Sequence, residues 1–181
     1  TGQLLMTQKS QKNKQLETYF KELSIQINLD GLSFCVFNPV LACVESIYNF
    51  PVNFNYKTQD EINDQVERVI KSEEDLRQDF NTIRVLHNTP IFTLIPQSLY
   101  GGKDEVLDYL KYSVDIHNVD PNTVEIDKIL SVETLNAYVP NTFVNNALLA
   151  YYGRFSYQHF ATSLLKMFLK HYSSRSEEHT S

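Results

Sequence analysis

Leu23-Ser-Ile-Gln-Ile-Asn-Leu-Asp-Gly-Leu-Ser-Phe-Cys-Val-Phe37 is the stretch that decides the fold. Leu23, Ile25, Ile27 and Leu29 alternate with Ser24, Gln26 and Asn28, the period of two that marks a strand with one buried face. Leu32, Phe34 and Val36 repeat the alternation after Asp30-Gly31. Asp-Gly between two alternating runs is the strongest short hairpin signal, because both central residues of a type I′ turn take positive φ. The reading is a tight antiparallel hairpin with Asp30-Gly31 at its tip. Asn38-Pro39 breaks the second strand, and a third runs from about Leu41 to Tyr48. Together they predict a three-stranded antiparallel meander, followed by a loop over Pro51 and Asn53–Tyr56.

Thr58-Gln-Asp-Glu61 has the spacing of a capping box and opens a helix. Ile62, Val66, Val69 and Ile70 form its apolar stripe, with Phe80 continuing it and Glu61, Asp64, Glu67 and Arg68 on the solvent side. Glu73-Glu74-Asp75 reads as more of that solvated face. Strands follow at Thr82–His87 and Ile91–Ile95, then a helix near Asp104–Ser113 carrying Val106, Leu107, Leu110 and Val114. Val124–Leu130 and Val132–Val139 read as strands, Pro140-Asn141 starts a third helix, and Gly153 ends it. A short strand at Phe155–Tyr157 leads into a last helix, Phe160–Tyr172.

The chain has 181 residues, enough for one core. Its net charge of −6 argues against a nucleic-acid footprint, which calls for clustered Lys and Arg. No apolar run approaches the ~20 residues that span a bilayer, so no membrane partner and a cytoplasmic location are expected. Cys35 and Cys43 lie in apolar runs and read as buried small hydrophobes in a reducing compartment.

The last helix is apolar on most sides. Phe160, Leu164, Leu165, Phe168, Leu169 and Tyr172, with Met167, leave little polar surface besides Lys166 and Lys170. Such a helix is normally buried on most sides, so its second face is expected to meet further polypeptide. Arg175-Ser-Glu-Glu-His-Thr-Ser181 reads like a translated sequencing-library adapter, and the chain opens on Thr1. The expectation is a fragment with three parts: a polar tail over 1–21 (a short helix possible at Gln15–Phe20), a half-domain over 22–174, and adapter residues over 175–181. The partner expected for Phe160, Leu164, Leu165, Phe168, Leu169 and Tyr172 is the missing second half, with a further protein partner possible.

The order of three antiparallel strands, a helix, and strands interleaved with helices resembles a ribonuclease-H-like half-domain, of which actin-like ATPases contain two. Leu23–Phe37, Glu133-Thr-Leu-Asn-Ala-Tyr-Val-Pro140 and His159-Phe-Ala-Thr-Ser-Leu-Leu165 are similar to segments of a bacterial family of unknown function with an actin-like ATPase fold. The resemblance covers roughly Glu22–Tyr172. It implies a mixed α/β fold, ribonuclease-H-like, with a second half beyond the chain.

Active members of the actin-like superfamily carry Asp-x-Gly-Thr/Ser on the first hairpin, for Mg²⁺ and phosphate. The matching residues are Asp30-Gly31-Leu32-Ser33. The glycine falls one position early and Leu32 stands where a small residue would approach phosphate, so Asp30-Gly31 reads as turn chemistry. The leading expectation is a non-catalytic scaffold or interaction protein without a cofactor. The alternative is an ATP- and Mg²⁺-binding protein in which Asp30, Gly31 and Ser33 contact the nucleotide once the second half is present. A nuclease is the third reading, resting on Asp30, Glu45, Glu125, Asp127 and Glu133.

Other motifs carry less. Gly101-Gly102-Lys103 fails the P-loop pattern, and Asp104 and Glu105 would repel phosphate. His87, His117, His159, His171 and His179 show no metal-ligand spacing; His87 and His159, at strand ends, read as structural or surface histidines. Tyr151-Tyr152 reads as packing at a helix end, with an aromatic contact surface as the alternative.

Overall fold

The structure, a computed structural model, describes residues 20–55, 57–113 and 119–178. In chain order the elements are β1 (Glu22–Asn28), β2 (Gly31–Asn38), β3 (Cys43–Pro51), α1 (Gln59–Ser72), β4 (Thr82–His87), β5 (Phe92–Pro96), α2 (Lys103–Ser113), β6 (Glu125–Ile129), β7 (Thr134–Tyr138), α3 (Thr142–Tyr152), β8 (Ser156–His159) and α4 (Phe160–Glu178). The expected helix at Gln15–Phe20, Val114, His117 and His179 lie wholly or largely outside the described residues.

Two sheets result. The larger has the order β3-β2-β1-β4-β8: the meander is antiparallel, while β4 runs parallel to β1 and β8 parallel to β4. The smaller, β5-β7-β6, is wholly antiparallel. The alternation in β1 and β2 sends Leu23, Ile25, Leu32 and Phe34 into one core face, where Ile62, Val66 and Ile70 of α1 and Val144 and Leu148 of α3 meet them. Each fully buried aliphatic side chain there contributes about 1.5–3 kcal/mol. The capping box is present: the Thr58 hydroxyl accepts from Glu61 N at 3.3 Å, and Glu61 Oε2 accepts from Thr58 N at 2.8 Å.

The segment between β4 and α3 builds the small sheet and packs α2 on it through Val106, Leu107 and Leu110. Val139 N donates to Ile91 O at 3.0 Å, which ties the entry of this segment to its exit. The helix α4 follows β8 without a loop and lies against β8, β4 and β6.

Several local expectations are corrected. The hairpin tip is Leu29-Asp30, since Asn28 pairs with Gly31, and neither tip residue has positive φ. Gly31 is needed for a different reason. Its φ is +152°, and a Cβ placed on it would lie 2.0 Å from Phe50 O of β3. The Cys43 side chain is exposed and Cys35 is half-buried; both are free thiols rather than core residues. The stripe of α1 stops at Ser72, and Phe80 reaches the core from a loop. Asp75 lies in a 3-10 turn after α1 and accepts from the Tyr48 hydroxyl at 3.0 Å, so it is not part of a solvated helix face. The run Val132–Val139 is shortened at its start by a 3-10 turn and by Glu133 in the left-handed region at φ 47°.

The neighbour of Gly31 is backbone, which cannot swing away. Gly31→Ala is expected to destabilise the chain by at least about 2 kcal/mol, read as a lower urea midpoint. An unchanged midpoint would contradict the close approach of β3.

Candidate functional site

Strands β1, β4 and β8 run in the same direction. Register pairs Ile27 with His87 and His87 with His159, so their carboxyl ends lie side by side. Ligands of open α/β sheets bind outside such ends. Two adjoining cavities open there. One, of about 220 Å³, is lined by residues including Ile27, Phe54, His87, Val139 and Asn141. The other, of about 690 Å³, is lined by residues including Asp30, Pro90, Phe92, His159 and Leu164. Asn28, Leu29, Asn88 and Thr89 border both.

The polar groups at this end are mostly amides, joined in a row. Asn28 Oδ1 accepts from Gln26 Nε2 at 2.8 Å and from Asn88 Nδ2 at 3.0 Å. Asn28 Nδ2 donates to Ser33 Oγ at 3.2 Å, and Ser33 Oγ donates to Asn49 Oδ1 at 3.0 Å. Neither cavity has Lys or Arg among its lining residues.

Beneath the amides sit two buried histidines. His159 Nε2 lies 2.9 Å from Thr89 O, and Nδ1 lies 3.1 Å from both Asn136 Nδ2 and Ala161 N. A carbonyl only accepts, so Nε2 carries the proton and Nδ1 accepts from two donors. Asn136 Nδ2 also donates to Thr162 Oγ1 at 2.9 Å, and Asp127 Oδ2 accepts from His159 N at 2.8 Å. The ring packs at a tilt against Phe92 and Tyr138, with centroids 4.4 and 5.1 Å away. His87 donates from Nε2 to Asn145 Oδ1 at 3.3 Å, and its buried Nδ1 has no partner. Burial pushes the His87 pKa down to about 4 and lowers that of His159 as well. Both rings are therefore neutral near pH 7.

The sequence-derived site residues are dispersed. Asp30 is exposed at the hairpin tip and lines the larger cavity. Gly31 is buried under β3. Ser33 faces the amide row, with its hydroxyl engaged on both sides. On α4, Leu164, Phe168 and Tyr172 are exposed, whereas Phe160, Leu165 and Leu169 are half-buried. Met167, left out of the expected interface, is 52% exposed. The carboxylates of the nuclease reading do not converge. Glu45 pairs with Lys21 at 2.6 Å on β3, Asp127 holds the His159 backbone, and Glu133 lies in the turn before β7. Among the described residues, no group of three His, Cys, Asp or Glu side chains could hold a metal ion, and no helix is long and apolar enough to cross a membrane.

Residues 10–181 match the family described as "Protein of unknown function (DUF3822)". The chain belongs to that family. It is similar to a solved protein with actin-like ATPase fold and unknown function from Bacteroides thetaiotaomicron VPI-5482, at 17% identity and a TM-score of 0.66, over 84% of this chain and 57% of that one. The fold expected from the sequence, a ribonuclease-H-like half of an actin-like ATPase fold, is therefore the one found. The cytoplasmic domain of EpsL, an inner membrane component of the type II secretion system of Vibrio cholerae, matches at 15% identity and a TM-score of 0.37, over 76% of this chain and 55% of that one. The Aquifex aeolicus PPX-GPPA enzyme matches at 8% identity and a TM-score of 0.39, over 78% and 54%. The chain thus spans little more than half the length of each of these three solved structures. No curated protein sequence matches it significantly.

Sequence patterning missed the amide row and left His87 and His159 open between structural and surface positions, which the structure resolves as buried. The one visible signal was asparagine at the ends of successive apolar runs: Asn28, Asn88 and Asn141.

The His87 shift has a definite pH signature. The unfolded chain protonates this ring near its ordinary value of 6.5, and the folded chain resists until about 4. Its contribution is present above pH 6.5 and is lost as pH falls towards 4, by about 3 kcal/mol. Urea unfolding across that range should show the loss, and His87→Phe should flatten much of it. A wild-type profile flat over the window would refute the buried neutral ring.

Proposed function

We propose that this chain is one lobe of a two-lobed, actin-like protein that serves as a non-catalytic scaffold or interaction module, with the second lobe of the same protein seated on the outer face of α4. The observation that carries this reading is the apolar row Leu164, Met167 and Phe168, which are 37%, 52% and 50% exposed. A contiguous apolar helix face marks an interaction surface. The 57% coverage of the Bacteroides thetaiotaomicron protein supports a lobe that continues into a second. The exposed free thiol of Cys43 suits a reducing, cytoplasmic compartment, and the charge of −6 favours a protein partner over nucleic acid.

The competing reading is ATP with Mg²⁺ at the strand ends, and it draws on Asp30 at the mouth of the larger cavity. The amide-lined crevice favours the scaffold reading, because phosphate groups call for cations or free backbone N–H groups.

Two measurements test the proposal. In the longer protein encoded by the full reading frame, amide exchange across Leu164–Phe168 should be markedly slower than in the 181-residue chain; equal rates would sink the two-lobe interface. Calorimetric titration of that longer protein with ATP and Mg²⁺ should show no binding at about millimolar nucleotide. Saturable binding that Asp30→Asn abolishes would transfer the case to the nucleotide reading.

A further inference from the structure

A second concave site lies at the opposite pole of the large sheet, where β4 and β8 begin. It has a volume of about 220 Å³, and its lining includes Arg77, Asp79, Asn81, Tyr151, Tyr152 and Arg154. Among the described residues, ion pairs join Lys21 to Glu45, Lys71 to Glu67, Arg84 to Glu22 and Lys111 to Asp108. Neither Arg77 nor Arg154 takes part in one, and among the described residues neither side chain makes a hydrogen bond, the Arg77 backbone N–H alone donating to Glu74 O at 3.1 Å. A single unpaired surface arginine is ordinary. Two that share one polar cavity, in a protein of net charge −6, place local positive charge where the chain as a whole is acidic.

The wall behind them is fixed. The Tyr152 hydroxyl donates to Leu76 O at 3.0 Å, and its ring packs edge-on against Phe80 and Tyr151, with centroids 6.3 and 5.0 Å away. Tyr152 is thereby held from both sides, and Tyr151 presents a ring at the cavity. The two arginines come from different segments, one after the 3-10 turn that follows α1 and one between α3 and β8. Planar guanidinium forks present donors in a geometry that matches oxyanions.

The geometry points to a binding site for a phosphate-type oxyanion, either free phosphate or the terminal group of a phosphate monoester. Three terminal oxygens offer acceptors for both guanidinium forks and for the Asn81 amide, and a dianion matches two arginines better than a single carboxylate does. Asp79 opposes them and weakens the site without removing it. This site stands apart from the strand-end crevice and does not depend on the two-lobe reading.

The test is calorimetric titration of the 181-residue chain, at low ionic strength, with inorganic phosphate and separately with phenyl phosphate. Saturable binding of either is expected, and tighter binding of phenyl phosphate would identify a monoester whose ester group packs on Tyr151. Arg77→Gln and Arg154→Gln should each weaken binding about tenfold, while Asp79→Asn should tighten it severalfold. All three side chains are exposed, so the variants should melt like the parent. No saturable binding of either probe below about 10 mM, or an affinity that the two arginine variants leave unchanged, would overturn the assignment. So would a weaker site in Asp79→Asn.

Discussion

The hydrogen bonds of one imidazole tie three separate parts of this structure together. His159 donates to the β4–β5 connection, accepts from β7 of the small sheet, and accepts again from the first turn of α4. Only one tautomer of the neutral ring meets those demands together. A proton on Nδ1 would face two donors, so charging the ring breaks two bonds at once in a nearly buried site. The two sheets and the last helix are consequently held in one relative arrangement. The arrangement leaves Asn136 Oδ1 buried without a partner, a cost of the order of 1–3 kcal/mol that the surrounding packing must offset.

That arrangement also sets the character of the crevice above it. With both histidines neutral and the neighbouring side chains mostly amides, the strand ends form a polar but weakly charged surface. The described residues that line the two cavities include no Lys or Arg. Fold and site are separate lines of inference.

What could be read from the sequence was what is local. The alternation in Leu23–Phe37, the capping box at Thr58 and the apolar stripe of α1 each specify an element from residues close in the chain. The remainder depends on contacts between distant segments. β4 and β5 are separated by four residues yet belong to different sheets, because β4 pairs with β1 while β5 pairs with β7. Gly31 was expected in a turn; its real constraint comes from Phe50, which no short window includes. At the candidate site, Asp30 was found where cavity and hairpin meet, but Ser33 turned out to be spent on the amide row. The burial of His87 and His159 follows from parallel pairing across β1, β4 and β8, and the company of Arg77 and Arg154 follows from the meeting of two loops.

The clip between Ile91 and Val139 has a consequence for how this architecture diversifies. Because the intervening segment leaves β4 and returns to α3 at adjacent points, it behaves as a graft: parts of it away from Asn136 and Asp127, which hold His159, can change in length while β1, β2, α1 and α3 keep their packing. Asn88 and Thr89 at the point of departure, and Val139 and Asn141 at the point of return, form the rim of the smaller cavity. Variation in the graft would therefore reshape the entrance to the crevice without disturbing the scaffold that carries it, leaving descendants of one framework free to differ in what they admit.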